Sequence, residues 1–358
     1  MSSYWNERAK NLSPYVPGEQ PRDRQFIKLN TNENPYPPSP KVIEAIKNAA
    51  DDRLRLYPDP ECTDFRKAIA ERYGVKPQQV FAGNGSDEIL AFAFGAFFEK
   101  TILFPDITYS FYPVYADLWD IPYSLIPLQD DFSVKASDFK IPSDGIIIPN
   151  PNAPTGIALP LDDVLSIADF MEKQKKVFII DEAYIAFVAD RIDCGTGSAV
   201  PYIDKYPNIL TVHTLSKSAS LAGLRAGFAI GSEKLIEGLC RIRDSFNSYT
   251  LDRLALAGAK AAIEDAAYYD GINKRVIDTR ERTAKALSEL GFIVSPSSAN
   301  FLFIKHPKIS GAELFADLRE RGILARHFNK NRIAEHLRVS IGTDDEMDKF
   351  LTACKEMI

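Results

Sequence analysis

Ile209-Leu210-Thr211-Val212-His213-Thr214-Leu215-Ser216-Lys217-Ser218-Ala219-Ser220-Leu221-Ala222-Gly223-Leu224-Arg225 is the stretch around which the chain is organised. Its apolar start, Ile209 to Val212, reads as a buried strand. Hydroxyls follow at Thr214 and Ser216, then Lys217, then Arg225 between Gly223 and Gly227. A lysine just past a core strand stands where α/β proteins form their sites. Desolvation there lowers an ammonium pKa and frees the amine to attack a carbonyl. The neighbouring hydroxyls and arginine suit a phosphate. The combination suggests a Schiff-base lysine beside a phosphate cup, the requirement of pyridoxal phosphate. On this stretch alone, a surface lysine following a strand reads equally well.

The 358 residues are 45% hydrophobic and 26% charged, enough for a large core and two lobes. The net charge of −6 supplies no global positive field for nucleic acid. The polar start, Met1 to Lys10, lacks the apolar centre of a signal peptide. No apolar run approaches the ~18 residues of a membrane span, so a cytoplasmic protein is expected. Cys62, Cys194, Cys240 and Cys354 lie far apart, as reduced thiols do. His213, His306, His327 and His336 have neither zinc spacing nor a nucleophile elbow beside them, and no metal is expected.

Residues 1–30 read as an irregular arm with Pro14, Pro17 and Pro21. Leu29-Asn30-Thr31-Asn32-Glu33-Asn34-Pro35 reads as a loop rich in hydrogen-bonding side chains. Ser39-Pro40 starts a helix running to about Ala50, and a second helix spans about Thr63 to Tyr73. Val80–Gly83 is a strand, Asn84–Glu88 a glycine-containing turn, and Ile89–Phe98 a helix. The turn suits either a phosphate or an ordinary capped helix with Ser86 as its cap. Further strands are Ile102–Pro105, Ile146–Pro149 and Val177–Asp181, with a helix from about Leu161 to Lys173. Asp181 places a carboxylate at a strand's carboxyl end, fit either to face a pyridinium nitrogen or to cap a helix. No strand alternates with period two, so both sheet faces are covered, as in a doubly wound, mostly parallel α/β sheet. Residues 233–290 are helical, and a smaller α+β alternation follows. The expected division is an arm over 1–30, a large domain over 31–245 and a small domain over 246–358.

Seven segments occur in the order found in one family: Leu29–Pro35, Tyr57-Pro58-Asp59, Gly83–Glu88, Asn150–Gly156, Asp181–Tyr184, Ser216-Lys217 through Arg225, and Leu337–Thr343. Together they resemble the fold type I pyridoxal-phosphate aminotransferases, and among these the histidinol-phosphate aminotransferase family. The resemblance implies that Lys217 bonds the cofactor and then moves a proton between the substrate Cα and the cofactor's C4′. It implies that Asp181 keeps the pyridine nitrogen protonated, making the ring a better electron sink. Tyr184 takes the place beside the 3′-oxygen, and Tyr109 stacks on the ring. Thr214, Ser216 and Arg225 form the phosphate cup with the backbone of Gly85, Ser86 and Asp87. Tyr57 reaches the phosphate in the neighbouring subunit, which implies a homodimer with shared sites. Tyr15, Asn32, Arg326 and Arg338 fall on the substrate side, with Arg338 as the fork for the glutamate carboxylate.

One position departs from the pattern. The family asparagine beside the 3′-oxygen stands directly before Pro-Thr-Gly; here that residue is Ala153, and Asn152 is one position earlier. Either Asn152 substitutes through a backbone shift or that hydrogen bond is missing. The expected reaction exchanges an amino group between histidinol phosphate and the glutamate/2-oxoglutarate pair in histidine biosynthesis. An aromatic amino-acid aminotransferase and a threonine-phosphate decarboxylase share this architecture and are the alternatives. A regulator that has kept the fold without catalysis would carry a DNA-binding domain, for which the arm is too short.

Overall fold

A computed structural model describes residues 4–16, 18–21, 24–188 and 197–358. Cys194 lies outside the described residues. In chain order the first elements are α1 (Glu7–Asn11), β1 (Ile27–Lys28), α2 (Pro40–Ala49), α3 (Thr63–Tyr73), β2 (Val80–Asn84), α4 (Gly85–Phe97), β3 (Ile102–Pro105), α5 (Phe111–Leu118) and β4 (Tyr123–Ile126). Then come β5 (Gly145–Pro149), α6 (Leu161–Lys173), β6 (Val177–Asp181), β7 (Ile209–Thr214), α7 (Leu215–Ser218), β8 (Ala226–Gly231), α8 (Glu233–Phe246), α9 (Arg253–Glu264) and α10 (Ala266–Glu289). The last are β9 (Ile293–Val294), β10 (Phe301–Lys305), α11 (Gly311–Glu320), β11 (Ile323–Leu324), β12 (Arg326–His327), β13 (Leu337–Ser340) and α12 (Asp344–Glu356).

The main sheet has seven strands in the order β2-β8-β7-β6-β5-β3-β4. Strand β8 runs antiparallel to β2 and β7 on either side of it, and the pairs from β7 to β4 are parallel. Successive residues of each central strand enter opposite cores. Val80 and Ala82, Ile146 and Ile148, Phe178 and Ile180, and Phe228 and Ile230 pack in one core. Phe81, Ile147, Ile179, Leu210, Val212 and Ala229 pack in the other, with Phe92, Phe94 and Leu239. Every strand side chain of this set is therefore apolar, and the period-two signal is absent for the expected reason. The doubly wound, mostly parallel sheet is as the sequence reads. The edge strand β4 is the exception, with Tyr123, Ser124 and Leu125 exposed and only Ile126 buried.

The second sheet is antiparallel, in the order β12-β13-β10-β9. Its core joins Phe301, Leu302 and Ile304 to Leu314, Leu337, Val339 and Phe350. The apolar residues Leu251 to Ile272 belong to the core of the large sheet, and Val276 and Leu287 to that of the small one.

Two local expectations need correction. The arm is not wholly irregular: Ile27 and Lys28 pair in parallel with Ile323 and Leu324, because the arm's last apolar residues complete the small lobe. Helix α4 begins at Gly85 rather than Ile89, so Ser86 lies in its first turn and does not cap it. Gly85 takes φ +74°, a left-handed conformation that glycine adopts at least cost and that lets strand β2 pass directly into the helix. The cap at Ser39 is as read, its oxygen accepting the Lys41 N–H before Pro40 opens the helix.

Strand β8 passes so close to this turn that a side chain at Gly227 has no room. A Cβ there would lie 2.7 Å from the Gly85 carbonyl carbon and 2.8 Å from the Ser86 nitrogen. Gly223 has no neighbour within 4 Å of such a carbon. Gly227→Ala is expected to lower the thermal midpoint, with a cost of about 1–3 kcal/mol as for overpacking, while Gly223→Ala changes it little. Equal midpoints for the two variants in a melting experiment would refute this reading of the turn.

Candidate active site

Strands β2, β5, β6 and β7 all end at one edge of the large sheet, and a cavity opens there. Its walls include Thr31, Glu33, Ser86, Asp87, Tyr109, Ala153, Asp181, Tyr184, Thr214, Ser216, Lys217 and Arg225. This is the carboxyl edge, where helix starts and strand ends converge polar groups on a ligand. A chain that looks scattered in sequence is thus gathered at one place by parallel pairing.

Lys217 lies in the short helix α7, entered from β7 through Thr214, whose side chain accepts the Ser216 N–H. The Lys217 Nζ donates to the Thr31 carbonyl at 3.0 Å. Asn34 Nδ2 donates to the Lys217 carbonyl at 3.1 Å and holds the turn in place. Burial is the main cause that brings the Lys217 pKa down to about 8, and the nearby Arg338 cation adds to it.

Asp181 is buried at the end of β6. It accepts the Tyr112 O–H at 2.9 Å and the Ala183 N–H at 3.2 Å. Burial raises its pKa to about 6 against the pull of these two donors. Such a carboxylate gains from any cation that enters the cavity, because ionisation then has a partner. In the sequence Tyr112 is one ring among Tyr109, Phe111, Tyr112 and Tyr115. Its contact with Asp181 spans 69 positions, and no local pattern announces it.

The turn at Gly85 to Asp87 supplies the first N–H groups of α4, which have no acceptor within the helix. Arg225 Nη2 donates to Asp87 Oδ2 at 2.9 Å, and the Tyr109 O–H donates to Asp87 Oδ1 at 2.7 Å. A Cβ at Gly85 would approach Arg225 Nη2 to 2.7 Å, so the turn and guanidinium are drawn together by the missing side chain. The Ser216 hydroxyl is buried without a hydrogen-bond partner among the described residues.

Ala153 lines the cavity, and Asn152 does not. Asn152 is turned away from it, with Nδ2 donating to the Ile107 carbonyl at 3.1 Å and to Thr155 Oγ1 at 3.0 Å. The expectation that Asn152 substitutes for the missing amide is therefore corrected: those two acceptors hold it behind the wall. Tyr184 does reach the cavity. Its hydroxyl oxygen accepts Asn32 Nδ2 at 2.9 Å. Asn32 itself is buried and lies behind Tyr184.

A second cavity adjoins the first through Tyr109 and Ala153 and includes Tyr15, Arg326, Arg338 and Lys330. Tyr15 stacks on Phe111, with centroids 4.3 Å apart. Arg338 donates from Nη2 to the Asn30 carbonyl at 2.9 Å, while its Nε is buried without a partner among the described residues. Burial lowers the Arg338 pKa. Lys330 was not singled out in the sequence; its cation follows the apolar Phe328 in a loop whose path a local reading does not give. Tyr57 stands outside both cavities, 79% exposed, stacked on Tyr249 at 4.6 Å.

This arrangement offers a depressed-pKa amine, a buried carboxylate, an anion cradle and an adjoining cationic pocket. The family described as aminotransferase class I and II matches residues 24–353. The histidinol-phosphate aminotransferase of Clostridium acetobutylicum is 56% identical over 360 residues, covering 100% of both chains. That of Clostridium beijerinckii is 52% identical over 350 residues, covering 97% of this chain and 95% of the other. A solved histidinol-phosphate aminotransferase from Clostridium acetobutylicum superposes with a TM-score of 0.85 at 25% identity, covering 93% of this chain and 99% of its own. One from Sinorhizobium meliloti, solved in complex with pyridoxal-5′-phosphate, gives a TM-score of 0.88 at 23% identity over 99% of this chain and 98% of its own. By full-length identity as well as by fold, the chain belongs to the class I and II aminotransferases, in the histidinol-phosphate aminotransferase family.

Proposed function

We propose that the protein is a cytoplasmic, pyridoxal 5′-phosphate-dependent aminotransferase. It exchanges the amino group between histidinol phosphate and 2-oxoglutarate, giving 3-(imidazol-4-yl)-2-oxopropyl phosphate and glutamate in histidine biosynthesis. The observation that carries the reading is the half-buried Lys217 amine, lowered to a pKa of about 8, sharing one cavity with Asp181, Ser86 and Asp87. Relatives above 50% identity over the whole chain, named for this activity, support the substrate. No helix among the described residues is long and apolar enough to cross a membrane.

The residues present fit the cofactor. The unpartnered Ser216 hydroxyl and the N-terminal N–H groups of α4 suit its phosphate, with Thr214 and Arg225 beside them. Tyr109 offers a ring face, its hydroxyl tied back by Asp87. The bound cofactor supplies an aldehyde and an electron-withdrawing pyridine ring. Lys217 supplies the nucleophilic nitrogen, then carries a proton to and from the substrate Cα. Asp181, aimed by Tyr112 and the Ala183 N–H, holds a proton on the ring nitrogen. Tyr184 donates toward the 3′-oxygen. In the adjoining cavity the Arg338 guanidinium, with Arg326 and Tyr15, takes the carboxylate or phosphate of the substrate. Both substrates carry an anion, so one cationic pocket serves both half-reactions.

The exposed Tyr57 stacks on the exposed Tyr249, with Leu54 and Leu56 exposed just before it in the chain, an apolar surface that a second copy of the chain would cover. We propose a homodimer in which Tyr57 completes the phosphate site of the other subunit.

Lys217→Ala is expected to lose both turnover and the visible absorbance of the lysine-bound cofactor. Wild-type protein is expected to turn over histidinol phosphate in preference to phenylalanine or threonine phosphate when assayed side by side; a preference for either of the latter overturns the substrate assignment. Capture of pyridoxal phosphate by the apo-protein needs the neutral amine. Because the Lys217 pKa is lowered to about 8, the capture rate should rise with pH and level off above 8. A rate still climbing steeply toward pH 10 would show an ordinary lysine. For the shared site, Tyr57→Phe should weaken cofactor binding by about tenfold, as for one lost hydrogen bond to a charged group. Mixed Tyr57→Phe and Lys217→Ala subunits should recover one intact site per heterodimer, and a mixture no tighter than Tyr57→Phe alone would exclude sharing.

A further inference from the structure

The wall of the cavity beside Tyr184 is formed by Ala153, whose methyl offers no hydrogen bond. Behind Tyr184 the opposite holds. The Asn32 N–H donates to Ser340 Oγ at 2.8 Å, and the Ser340 hydroxyl in turn donates to Asn32 Oδ1 at 3.0 Å. Asn300 Nδ2 donates to the Asn32 carbonyl at 3.0 Å. Asn32 sits at φ +56°, a left-handed conformation that asparagine tolerates better than most residues. These bonds fix both its backbone and the sense of its amide. Since Ser340 spends its proton on Oδ1, the Nδ2 end faces Tyr184 and donates to its oxygen at 2.9 Å. A phenol oxygen so occupied keeps one proton to give. Its ring is pinned edge-on against Phe301, at 5.1 Å and 89°. The direction left open to the O–H is the cavity.

We propose that Asn32 is a positioning residue for Tyr184: locked by Ser340, it makes the Tyr184 hydroxyl an obligate donor into the cavity, so that this one donor serves the cofactor's 3′-oxygen where Ala153 provides none. The inference rests on the cofactor reading above. It moves Asn32 from the substrate side to the support of Tyr184. It also ties the small lobe to the cofactor, because Ser340 lies on the same strand, β13, as Arg338.

The test is the pH titration of the visible absorbance of the Lys217-bound cofactor in holoenzyme. A donor to the 3′-oxygen spreads its negative charge and weakens its hold on the proton shared with the lysine nitrogen. Losing the donor raises the midpoint. Tyr184→Phe should raise it by about one pH unit, the scale of one charge-assisted hydrogen bond. Asn32→Ala should raise it by about half of that, and the double variant no further than Tyr184→Phe alone. Asn32→Asp keeps the shape but accepts instead of donating, so it should shift the midpoint as far as Tyr184→Phe. Adding Ala153→Asn to Asn32→Ala should bring the midpoint back. Ser340→Ala removes a single hydroxyl, and should shift the midpoint the same way by less. A midpoint unmoved in Asn32→Ala and Ser340→Ala, or an Asn32→Ala shift that adds in full to that of Tyr184→Phe, overturns the inference alone. A wild-type protein with no Lys217-dependent absorbance overturns the cofactor reading beneath it.

Discussion

The withdrawal of one amine from water organises this protein. Lys217 is half-buried just past the end of β7, and its pKa falls to about 8 because the charged form has lost part of its solvent. Everything that makes the burial tolerable comes from elsewhere in the chain. The Thr31 carbonyl accepts the amine, Asn34 holds the turn that carries it, and the parallel sheet puts Asp181 and the Gly85 turn beside it. A doubly covered sheet is needed for this. Both faces of β5, β6 and β7 are sealed by side chains, so the carboxyl ends of the strands meet in a place already poor in water.

The second constraint is the joining of the two lobes at that place. The segment from Ile27 to Asn34 crosses from one lobe to the other. It pairs with β11 through Ile27 and Lys28. It accepts the Ser340 N–H at the Leu29 carbonyl and the Arg338 guanidinium at the Asn30 carbonyl. It then supplies Thr31 to Lys217 and Asn32 to Tyr184. The strand that carries Arg338 is thus braced on the same short loop that touches the amine. Displacement of the small lobe by a fraction of an ångström would be felt at both, since packed contacts of this kind do not stretch.

The outline of this arrangement could be read from residue order, and the corrections fall where long-range contacts decide. Buried strands announce themselves by unbroken apolar runs, and Asp181 and Lys217 stand out because polar groups rarely follow such runs without purpose. Seven short motifs in family order then carried the family and its cofactor. The pairing of Ile27 and Lys28 with Ile323 and Leu324 was invisible, because two residues have no periodicity. Helix α4 began earlier than its apolar residues suggested, since glycine at φ +74° let the strand turn directly into it. Asn152 and Asn32 were both read by type and neighbourhood. Their side chains went instead to Ile107 and Thr155, and to Tyr184 and Ser340, partners as far as 308 positions away in the last case.

The cost of the site is visible in its charges. Burial holds Asp181 near pKa 6 and Lys217 near 8, and leaves Arg338 with an unpaired buried Nε. Each is a group that would be more stable in water or with a partner. Glu182, next to Asp181, shows the contrast. Burial raises its pKa to about 7, yet its carboxylate is satisfied by the Ser198 hydroxyl at 2.6 Å and the Ala199 N–H at 2.8 Å, and it serves to fasten the chain. Asp181 has its two donors too, but among the described residues its neighbour in the cavity wall, Ser216, has no partner for its hydroxyl, and the amine of Lys217 donates to a carbonyl. A single ligand bearing an anion, a basic ring nitrogen and a carbonyl would answer all of these at once. Its binding would then stabilise the folded state by mass action, in proportion to how poorly those groups are served without it. Pre-arranged charges of this sort act on a reaction without having to move during it.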